Sequence, residues 1–214
     1  MTRRFDTAQP RARAQGVTAA STSARRGRVV LLPTESVYAL LVDAFSETGV
    51  AAVRRLKDRP AERALPVAVS SQAMLRGIAE RLTPAGQQLV EAFWPGPLTI
   101  VCRQQPSLAW SAGGAGRALT VRMPLHPLAL EVIAEVGPAV LIGADSPLDM
   151  DPEGHETPGV DVVLDAGPIL DPAPASSVVD VRGEEPVLIR AGALSRERLA
   201  SVVPALGEPG PPQE

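Results

Sequence analysis

Four cationic side chains lie at the ends of predicted helices or strands, where they could bind an anion. Lys57 and Arg59 end a predicted helix just before Pro60, which forces the chain out of the helix and lets both side chains project into a loop. Arg122 and Arg190 each end an apolar run that is typical of a strand, and a buried arginine requires an anionic partner. A point-like ammonium and planar guanidinium groups suit a polyphosphate, so the pattern predicts a phosphate cradle. The alternative is a set of solvated basic ends.

Lys57 has a second feature that favours a function. It is the only lysine among the 21 lysine and arginine residues of the chain. A surface position without a role would be expected to have become arginine with the others. A single lysine that falls inside a cationic motif therefore indicates a need for the ammonium group.

Two hydroxyl side chains follow the first predicted strand, which covers residues 28–32. Thr34 and Ser36 lie two positions apart, so they share one face if the chain stays extended. Open α/β sheets bind ligands beyond the carboxyl ends of their strands. The alternative is a turn in which the hydroxyls cap backbone groups.

Several other chemistries lack their motifs in this sequence. The phosphate-loop pattern G-x-x-x-x-G-K-[ST], the dinucleotide pattern G-x-G-x-x-G after a strand, and the hydrolase pattern G-x-S-x-G are all absent. Residues 145–165 hold seven acids, and the segment that starts at Asp149 begins like a calcium-binding loop, but its twelfth position is Val160 instead of a glutamate. His155 could bind a metal there, although a solvated acidic loop is the simpler interpretation. His126 precedes a proline at a predicted helix start and is interpreted as structural.

The single cysteine and the hydropathy pattern bear on the compartment. Cys102 lies in the apolar run 98–102, which predicts a buried strand residue in place of a nucleophile, and one cysteine excludes an intramolecular disulfide. No apolar run reaches the roughly 18 residues that a membrane span requires. We therefore expect a cytoplasmic protein with no membrane partner.

The chain divides by composition into one domain and two tails. Residues 1–28 hold seven arginines and one acid with almost no apolar periodicity, so we expect residues 1–26 to be a disordered basic tail or an organellar targeting segment. Residues 27–203 are expected to form a single domain. Residues 204–214 are rich in proline and glycine and predict a second disordered tail.

The predicted elements place the cationic residues on an α/β scaffold. Strands alternate with helices early in the domain and cluster late, which favours a mixed, twisted β-sheet with flanking helices. The predicted strands are 28–32, 66–69, 98–102, 118–123, 139–142, 160–164, 178–181 and 187–189. The predicted helices are 48–56, 72–81, 84–93, 127–136 and 195–202.

Six segments in order resemble the YrdC/YciO family of threonylcarbamoyl-AMP synthases, over about residues 27–194. FWPGPLT matches the family pattern in full and is the most specific. The segments are PTESVYAL at 33–40, LKDRP at 56–60, FWPGPLT at 93–99, TVRMPLHP at 120–127, SSVVD at 176–180 and IRAGA at 189–193. The resemblance implies a YrdC-like domain with a concave basic cleft.

The resemblance also implies an activity and the residues that carry it. Members of the family condense ATP, L-threonine and bicarbonate into threonylcarbamoyl-AMP and pyrophosphate, with Mg²⁺ accompanying ATP, for N6-threonylcarbamoyladenosine modification of tRNA. By resemblance, a nucleotidyltransferase site would use Lys57 and Arg59 in catalysis. ATP would contact Lys57, Arg59, Ser146 and Arg190. Threonine would contact Thr34, Tyr38, Arg122 and Ser176, with Arg122 facing its carboxylate.

One motif of the family is altered. The pattern S-x-N is expected after the strand at 139–142, where this chain has Ala144 and Ser146, or Ser146 and Leu148 in an alternative register. In either register the chain lacks one polar side chain that the family pattern would direct toward the phosphates of ATP. The alternative function is therefore a divergent paralogue that binds nucleotide or double-stranded RNA without making the product. The basic tail or the cleft would supply the RNA contacts, although the remaining residues carry 14 bases and 23 acids.

Overall fold

The computed structural model describes residues 1–113, 117–144 and 158–208. Within these ranges the chain forms ten strands and six helices. The strands are β1 (Arg3–Asp6), β2 (Val29–Pro33), β3 (Tyr38–Asp43), β4 (Val67–Ala68), β5 (Leu98–Arg103), β6 (Ala118–Arg122), β7 (Ala139–Gly143), β8 (Val160–Asp165), β9 (Ser177–Asp180) and β10 (Val187–Arg190). The helices are α1 (Pro10–Arg25), α2 (Glu47–Leu56), α3 (Gln72–Ile78), α4 (Pro84–Phe93), α5 (Pro127–Val136) and α6 (Arg196–Ala200).

All ten strands join one mixed sheet, which confirms the predicted α/β class. The strand order is β1-β8-β2-β3-β7-β4-β6-β5-β9-β10. The pairs β1/β8, β2/β8, β4/β6 and β5/β9 are parallel, and the other neighbouring pairs are antiparallel. Capping side chains begin four helices where the sequence predicts a start, since Ser46, Ser71, Thr83 and Ser195 each accept a backbone N–H.

The sheet separates two apolar cores. The larger core lies beneath α2, α3, α4 and α6, and the second core lies beneath α1 and α5. Since α1 and α5 pack chiefly against β1, β8, β2 and β3, they cover only the first half of their face of the sheet. Beyond them, alternate residues of β6, β5 and β9 point to the same side. We call this region the uncovered face; its residues are Thr99, Val101, Thr120, Arg122, Val178 and Asp180.

The expectation that residues 1–26 are disordered is wrong. β1 pairs in parallel with β8, and α1 buries Val17, Ala20 and Ala24 in the second core. The buried side of α1 consists mainly of small residues, so it lacks the large apolar pattern by which an amphipathic helix is found. These small residues allow the close packing seen at Gly16, where an added Cβ would lie 2.8 Å from atoms of Phe5 and Leu164.

The arginines of this N-terminal segment form ion pairs with the domain. Arg3 and Arg28 both contact Asp161, each at 3.0 Å. Arg4 contacts Asp165 at 3.0 Å, and Arg13 contacts Glu131 of α5 at 2.5 Å. Four of the seven arginines in residues 1–28 are therefore paired with acids on β8 and α5.

The C-terminal boundary at residue 203 is also too early. Leu206 is buried in the larger core, and the Leu188 amide donates to the Gly207 carbonyl at 3.0 Å. Residues 209–214 lie outside the described ranges.

The sequence prediction also misses the strand β3, because it assigns residues 38–43 to no strand. No helix within the described ranges is long and apolar enough to cross a membrane.

Candidate active site

Arg122 ends β6 on the uncovered face and already has an anionic partner. Its Nη2 donates to Oε1 of Glu35, and the two side chains are 16% and 14% exposed. The Leu125 amide donates to Glu35 Oε2 at 3.3 Å, which holds the carboxylate in place. Glu35 is the anionic partner that a buried arginine is predicted to require. The buried Nε–H group of Arg122 has no hydrogen-bond partner within the described residues.

Ser176 connects the middle of the uncovered face to Arg190. Its Oγ lies 2.8 Å from Oγ1 of Thr99, which is the cross-strand neighbour of Arg122. Arg190 donates through Nη2 to the Ser176 carbonyl at 2.8 Å and through Nε at 3.2 Å. Three predicted site residues, namely Arg122, Ser176 and Arg190, therefore lie along adjacent strands with Thr99 among them.

Gly192 makes the contact between Arg190 and Ser176 possible. A Cβ at Gly192 would lie 2.1 Å from the Ala175 carbonyl oxygen and 2.7 Å from the Ser176 carbonyl carbon. The Gly192 and Leu194 amides donate to Oγ of Ser177 at 2.9 and 3.0 Å. Backbone approaches this close accept only glycine, so the segment after β10 is fixed against the residues that precede β9.

Thr34 shapes the turn that carries Glu35. Its Oγ1 donates to the Val37 carbonyl at 2.6 Å and accepts the Val37 amide at 3.2 Å. Ser36 Oγ lies 3.5 Å from Thr34 Oγ1. The turn joins β2 to β3, so of the two interpretations of Thr34 the structure favours the capping hydroxyl. Its predicted contact with threonine stays a prediction.

Tyr38 begins β3, and its hydroxyl is engaged by the backbone after β8. It donates to the Gly167 carbonyl at 2.8 Å and accepts the Ala166 amide at 2.9 Å. Burial is the main cause that raises the pKa of Tyr38, so the phenol stays protonated near neutral pH. In this arrangement Tyr38 holds the loop that follows β8, and its predicted contact with threonine is untested.

Lys57 and Arg59 lie in the loop after α2, and Arg54 fixes that loop. Lys57 is the C-cap of α2, and the Arg59 amide donates to the Arg54 carbonyl at 2.9 Å. The Arg54 guanidinium donates to three carbonyls, those of Pro60 at 2.6 Å, Arg63 at 2.8 Å and Ser111 at 3.1 Å. The helix ends at Leu56 and Asp58 has a φ of 46°, so the chain leaves the helix before Pro60. Both cations stand on a segment that is held by hydrogen bonds. Their phosphate-binding role stays a prediction.

Other predicted residues fall outside the site or outside the described ranges. Ser146 and His155 lie in residues 145–157, which the structure does not describe, so the altered S-x-N motif is represented only by Ala144 at the end of β7. His126 is the N-cap of α5, and burial is the main cause that lowers its pKa. Cys102 is buried in β5, where burial followed by the charge of Asp180 raises its pKa to about 12. A protonated thiol is a poor nucleophile, which agrees with the structural interpretation of Cys102.

Two residues of the site were not predicted from the sequence. Glu35 and Thr99 lie within the motif segments 33–40 and 93–99, so the signal was present. Sequence spacing alone does not indicate Glu35 or Thr99, because neither has an obvious partner nearby in the sequence. The strand register places Thr99 opposite Arg122 in the β5/β6 pair.

A cavity of about 720 Å³ lies elsewhere, between α3 and α4. Its wall includes the apolar residues Leu75, Leu82 and Val90 and the polar residues Arg76 and Gln87. None of the predicted site residues lines it. Arg122, Ser176 and Arg190 therefore lie apart from this cavity.

Comparison with known proteins relates this arrangement to a family. The Sua5/YciO/YrdC family model, described as telomere recombination, matches residues 22–192. A Mycobacterium tuberculosis (strain H37Rv) protein with a provisional threonylcarbamoyl-AMP synthase name is 37% identical over 209 residues, which are 95% of this chain and 96% of that protein. The threonylcarbamoyl-AMP synthase of Bacillus subtilis (strain 168) is 30% identical over 187 residues, covering 84% of this chain and 54% of its own.

Solved structures give the same relationship. A variant of Pyrococcus abyssi Sua5 superposes with a TM-score of 0.85 at 26% identity, covering 97% of this chain and 62% of that chain. P. abyssi Sua5 complexed with L-threonine gives a TM-score of 0.79 at 27% identity, covering 90% and 58%. Escherichia coli YciO has a TM-score of 0.71 at 19% identity over 90% of this chain and 94% of its own, which shows a shared fold. The chain belongs to the Sua5/YciO/YrdC family.

Proposed function

We propose that this chain is an L-threonylcarbamoyladenylate synthase. It would convert ATP, L-threonine and bicarbonate into threonylcarbamoyl-AMP and pyrophosphate, and the product would serve N6-threonylcarbamoyladenosine modification of tRNA. The observation that carries the proposal is the alignment of Arg122, Ser176 and Arg190 on the uncovered face of the sheet. The names of the relatives and the threonine complex of P. abyssi Sua5 support it.

The chemistry requires positioning and positive charge more than a covalent nucleophile. The threonine nitrogen and bicarbonate form a carbamate with loss of water. A carbamate oxygen then attacks the α-phosphorus of ATP while the bond to the leaving pyrophosphate breaks. Two anions must approach each other in that step, so fixed cations lower its barrier. Lys57, Arg59 and Arg190 are assigned to the phosphates, and Arg122 is assigned to the threonine carboxylate.

Mg²⁺ enters this scheme with the nucleotide. Within residues 1–113, 117–144 and 158–208, no group of three or more His, Cys, Asp or Glu residues could hold a metal ion. The carboxylate at the centre of the site, Glu35, is already paired with Arg122. We therefore treat the ion as part of Mg·ATP and assign no protein ligands to it.

Threonine-dependent release of pyrophosphate tests the proposal. We expect the purified chain to release pyrophosphate only when Mg·ATP, L-threonine and bicarbonate are all present, and mass spectrometry should detect threonylcarbamoyl-AMP. Arg122→Ala should abolish turnover in a folded protein. Folded wild-type protein that binds ATP but releases no threonine-dependent pyrophosphate would support the alternative, a nucleotide-binding paralogue without synthase activity. The RNA-binding form of that alternative is weakened, because the N-terminal segment is folded onto the domain and four of its arginines pair with Asp161, Asp165 and Glu131.

A further inference from the structure

Glu35 gives the site a carboxylate that the phosphate and carboxylate assignments leave without a role. We propose that Glu35 binds the α-ammonium group of the amino-acid substrate and restricts the site to α-amino acids. The inference rests on the proposed function, because it assumes that the substrate carboxylate binds Arg122. It adds a specificity determinant that discriminates an amino acid from the 2-hydroxy acid of the same shape.

Charge matching is the first argument. Arg122 and Glu35 form an ion pair in which each side chain is about one-seventh exposed, at 16% and 14%. A lone arginine there would attract any carboxylate, including acetate or lactate. A neighbouring glutamate cancels that attraction for a plain anion, since it repels the incoming carboxylate. A zwitterion escapes this penalty, because its ammonium can lie against Glu35 while its carboxylate lies against Arg122.

The bonding capacity of the two side chains is the second argument. Arg122 engages Glu35 through Nη2, and its buried Nε has no hydrogen-bond partner among the described residues. Glu35 Oε1 accepts from Arg122, and Oε2 accepts from the Leu125 amide at 3.3 Å. Each carboxylate oxygen has two lone pairs, so Glu35 can accept a further donor without releasing Arg122.

The hydroxyls around the turn are the third argument. A bound ammonium needs acceptors, but Thr34 Oγ1 already accepts the Val37 amide, and the Tyr38 hydroxyl already accepts the Ala166 amide. Ser176 Oγ shares its hydrogen bond with Thr99 at 2.8 Å. These neutral groups are committed to the fold, whereas a carboxylate binds an ammonium more strongly than a hydroxyl does.

The same contact is compatible with the reaction. The ammonium first loses one proton to solvent, and the resulting amine combines with bicarbonate with loss of water. The carbamate nitrogen then keeps one N–H bond, and that N–H can still donate to Glu35. The substrate would therefore stay anchored at one end by Arg122 and at its nitrogen by Glu35. Such anchoring presents the carbamate to the α-phosphate in one orientation, which is how positioning accelerates a reaction.

Calorimetric binding of two ligands separates the proposal from its alternatives. The ligands are L-threonine and 2,3-dihydroxybutanoic acid of matching configuration, which carries a hydroxyl in place of the ammonium. Wild type should bind threonine at least about tenfold more tightly, which is what a charge-assisted hydrogen bond contributes. Glu35→Gln should weaken threonine binding by about tenfold to a hundredfold and leave the hydroxy acid within about threefold. Glu91→Gln, on the exposed face of α4, is the matched control and should change neither.

Opposite results would overturn the inference. Unchanged threonine binding by Glu35→Gln would show that Glu35 does not bind the ammonium, and tighter binding would show that Glu35 competes with the substrate for Arg122. Equal affinity of wild type for both ligands would overturn it without any variant, which covers the case that Glu35→Gln does not fold. A wild-type protein that binds neither ligand, with Mg·ATP present, would instead contradict the proposed function itself.

Discussion

At the scale of single residues, the loop after α2 shows how the chain could hold a phosphate group firmly. Lys57 caps α2, and the Arg54 guanidinium gathers the carbonyls of Pro60, Arg63 and Ser111 beneath the loop. A cation on a fixed loop loses little conformational freedom when it binds, so little of its interaction free energy with phosphate would be offset by lost entropy. The sequence indicates Lys57 through its rarity, but the role of Arg54 depends on contacts across 57 residues and could not be read from spacing.

Replacing Lys57 should strongly reduce ATP-dependent turnover without unfolding the protein. Lys57→Ala removes a charge-assisted contact to phosphate, which predicts a loss of about tenfold to a hundredfold or more in kcat/KM for ATP. Lys57→Arg should also fail if a compact ammonium is needed, because a guanidinium is larger and planar. Arg55→Ala, at the exposed neighbouring position of α2, is the control. Normal turnover of a folded Lys57→Ala protein would remove this residue from the site.

The altered S-x-N motif predicts weak binding of ATP. The altered motif removes up to two neutral hydrogen bonds, and the loss of two would cost about 1–3 kcal/mol, or about tenfold to a hundredfold in affinity. Restoring the pattern with Ala144→Ser and Ser146→Asn should therefore tighten ATP binding and raise turnover, and titration calorimetry on both proteins measures the change. Tight binding by wild type with no gain in the double variant would show that this segment does not face the nucleotide.

At the scale of elements, most strands and helices follow from apolar runs, caps and prolines. The helix predicted at 127–136 is found as α5 (Pro127–Val136), because Pro127 and Gly137 mark both ends. The missing elements have weaker signals. α1 packs through alanine, serine and glycine, which resemble a solvated segment in hydropathy. β3 directly follows a four-residue turn, and its first residue belongs to the polar motif at residues 33–38, which hides the start of the strand.

The packing of α1 predicts that residues 1–26 are required for stability, which is the opposite of what a disordered tail implies. Ala20→Asp would bury an unpaired carboxylate in the second core and should cost several kcal/mol. At about 2–4 °C per kcal/mol for a chain of this size, the thermal midpoint should fall by about 10 °C. Ala14→Asp, on the exposed side of α1, should shift the midpoint by no more than about 1–2 °C. Equal midpoints for both variants would show that α1 does not dock.

Gly192 provides a second test at this scale. Gly192→Ala would place a Cβ 2.1 Å from the Ala175 carbonyl oxygen, and a backbone atom cannot move aside at low cost. The segment after β10 should then shift, pulling Arg190 from Ser176 and weakening ATP binding about tenfold or more while costing about 1–3 kcal/mol in stability. Gly183→Ala is the control, since its nearest neighbouring atom would lie 3.6 Å away. Wild-type ATP affinity in Gly192→Ala would contradict the assigned role of Arg190.

At the scale of the whole molecule, charge pairs attach the N-terminal segment to the sheet. Burial raises the pKa of Asp161, but hydrogen bonds from Ser23, Arg3 and Arg28 outweigh it and lower the pKa from 3.8 to about 2. A carboxyl group with a lowered pKa stabilises the fold above its ordinary pKa and loses that contribution as the pH falls. The contribution is modest, because the side chains of Arg3 and Arg28 are more than half exposed.

The pH dependence of this cluster can be measured with one variant. Asp161→Asn should lower the thermal midpoint at pH 7, and the gap to wild type should close between pH 4 and pH 2 as Asp161 becomes protonated. Glu184→Gln, in the exposed turn between β9 and β10, should show a gap near zero throughout. A gap for Asp161→Asn that stays constant down to pH 2 would mean that the carboxylate charge does not contribute.

The sequence predicts which residues belong to the candidate site, but it does not predict how they are arranged in space. Arg122, Ser176 and Arg190 come from three separate motifs, and the sequence predicts the two arginines at strand ends. Arg122 and Arg190 do end β6 and β10, and the structure adds that Arg122 lies on the half of the sheet that α1 and α5 leave uncovered. Neither the extent of helix coverage nor the pairing of Arg122 with Glu35 is a local property of the chain.

The central claim is that substrate binds on this uncovered face, and a crystal structure of the chain with L-threonine tests it most directly. The threonine carboxylate should contact the Arg122 guanidinium, with the amino-acid side chain near Ser176 and Thr99. The cavity between α3 and α4 should contain no threonine. Threonine found in that cavity, or held away from Arg122 in a folded and saturated protein, would contradict the account.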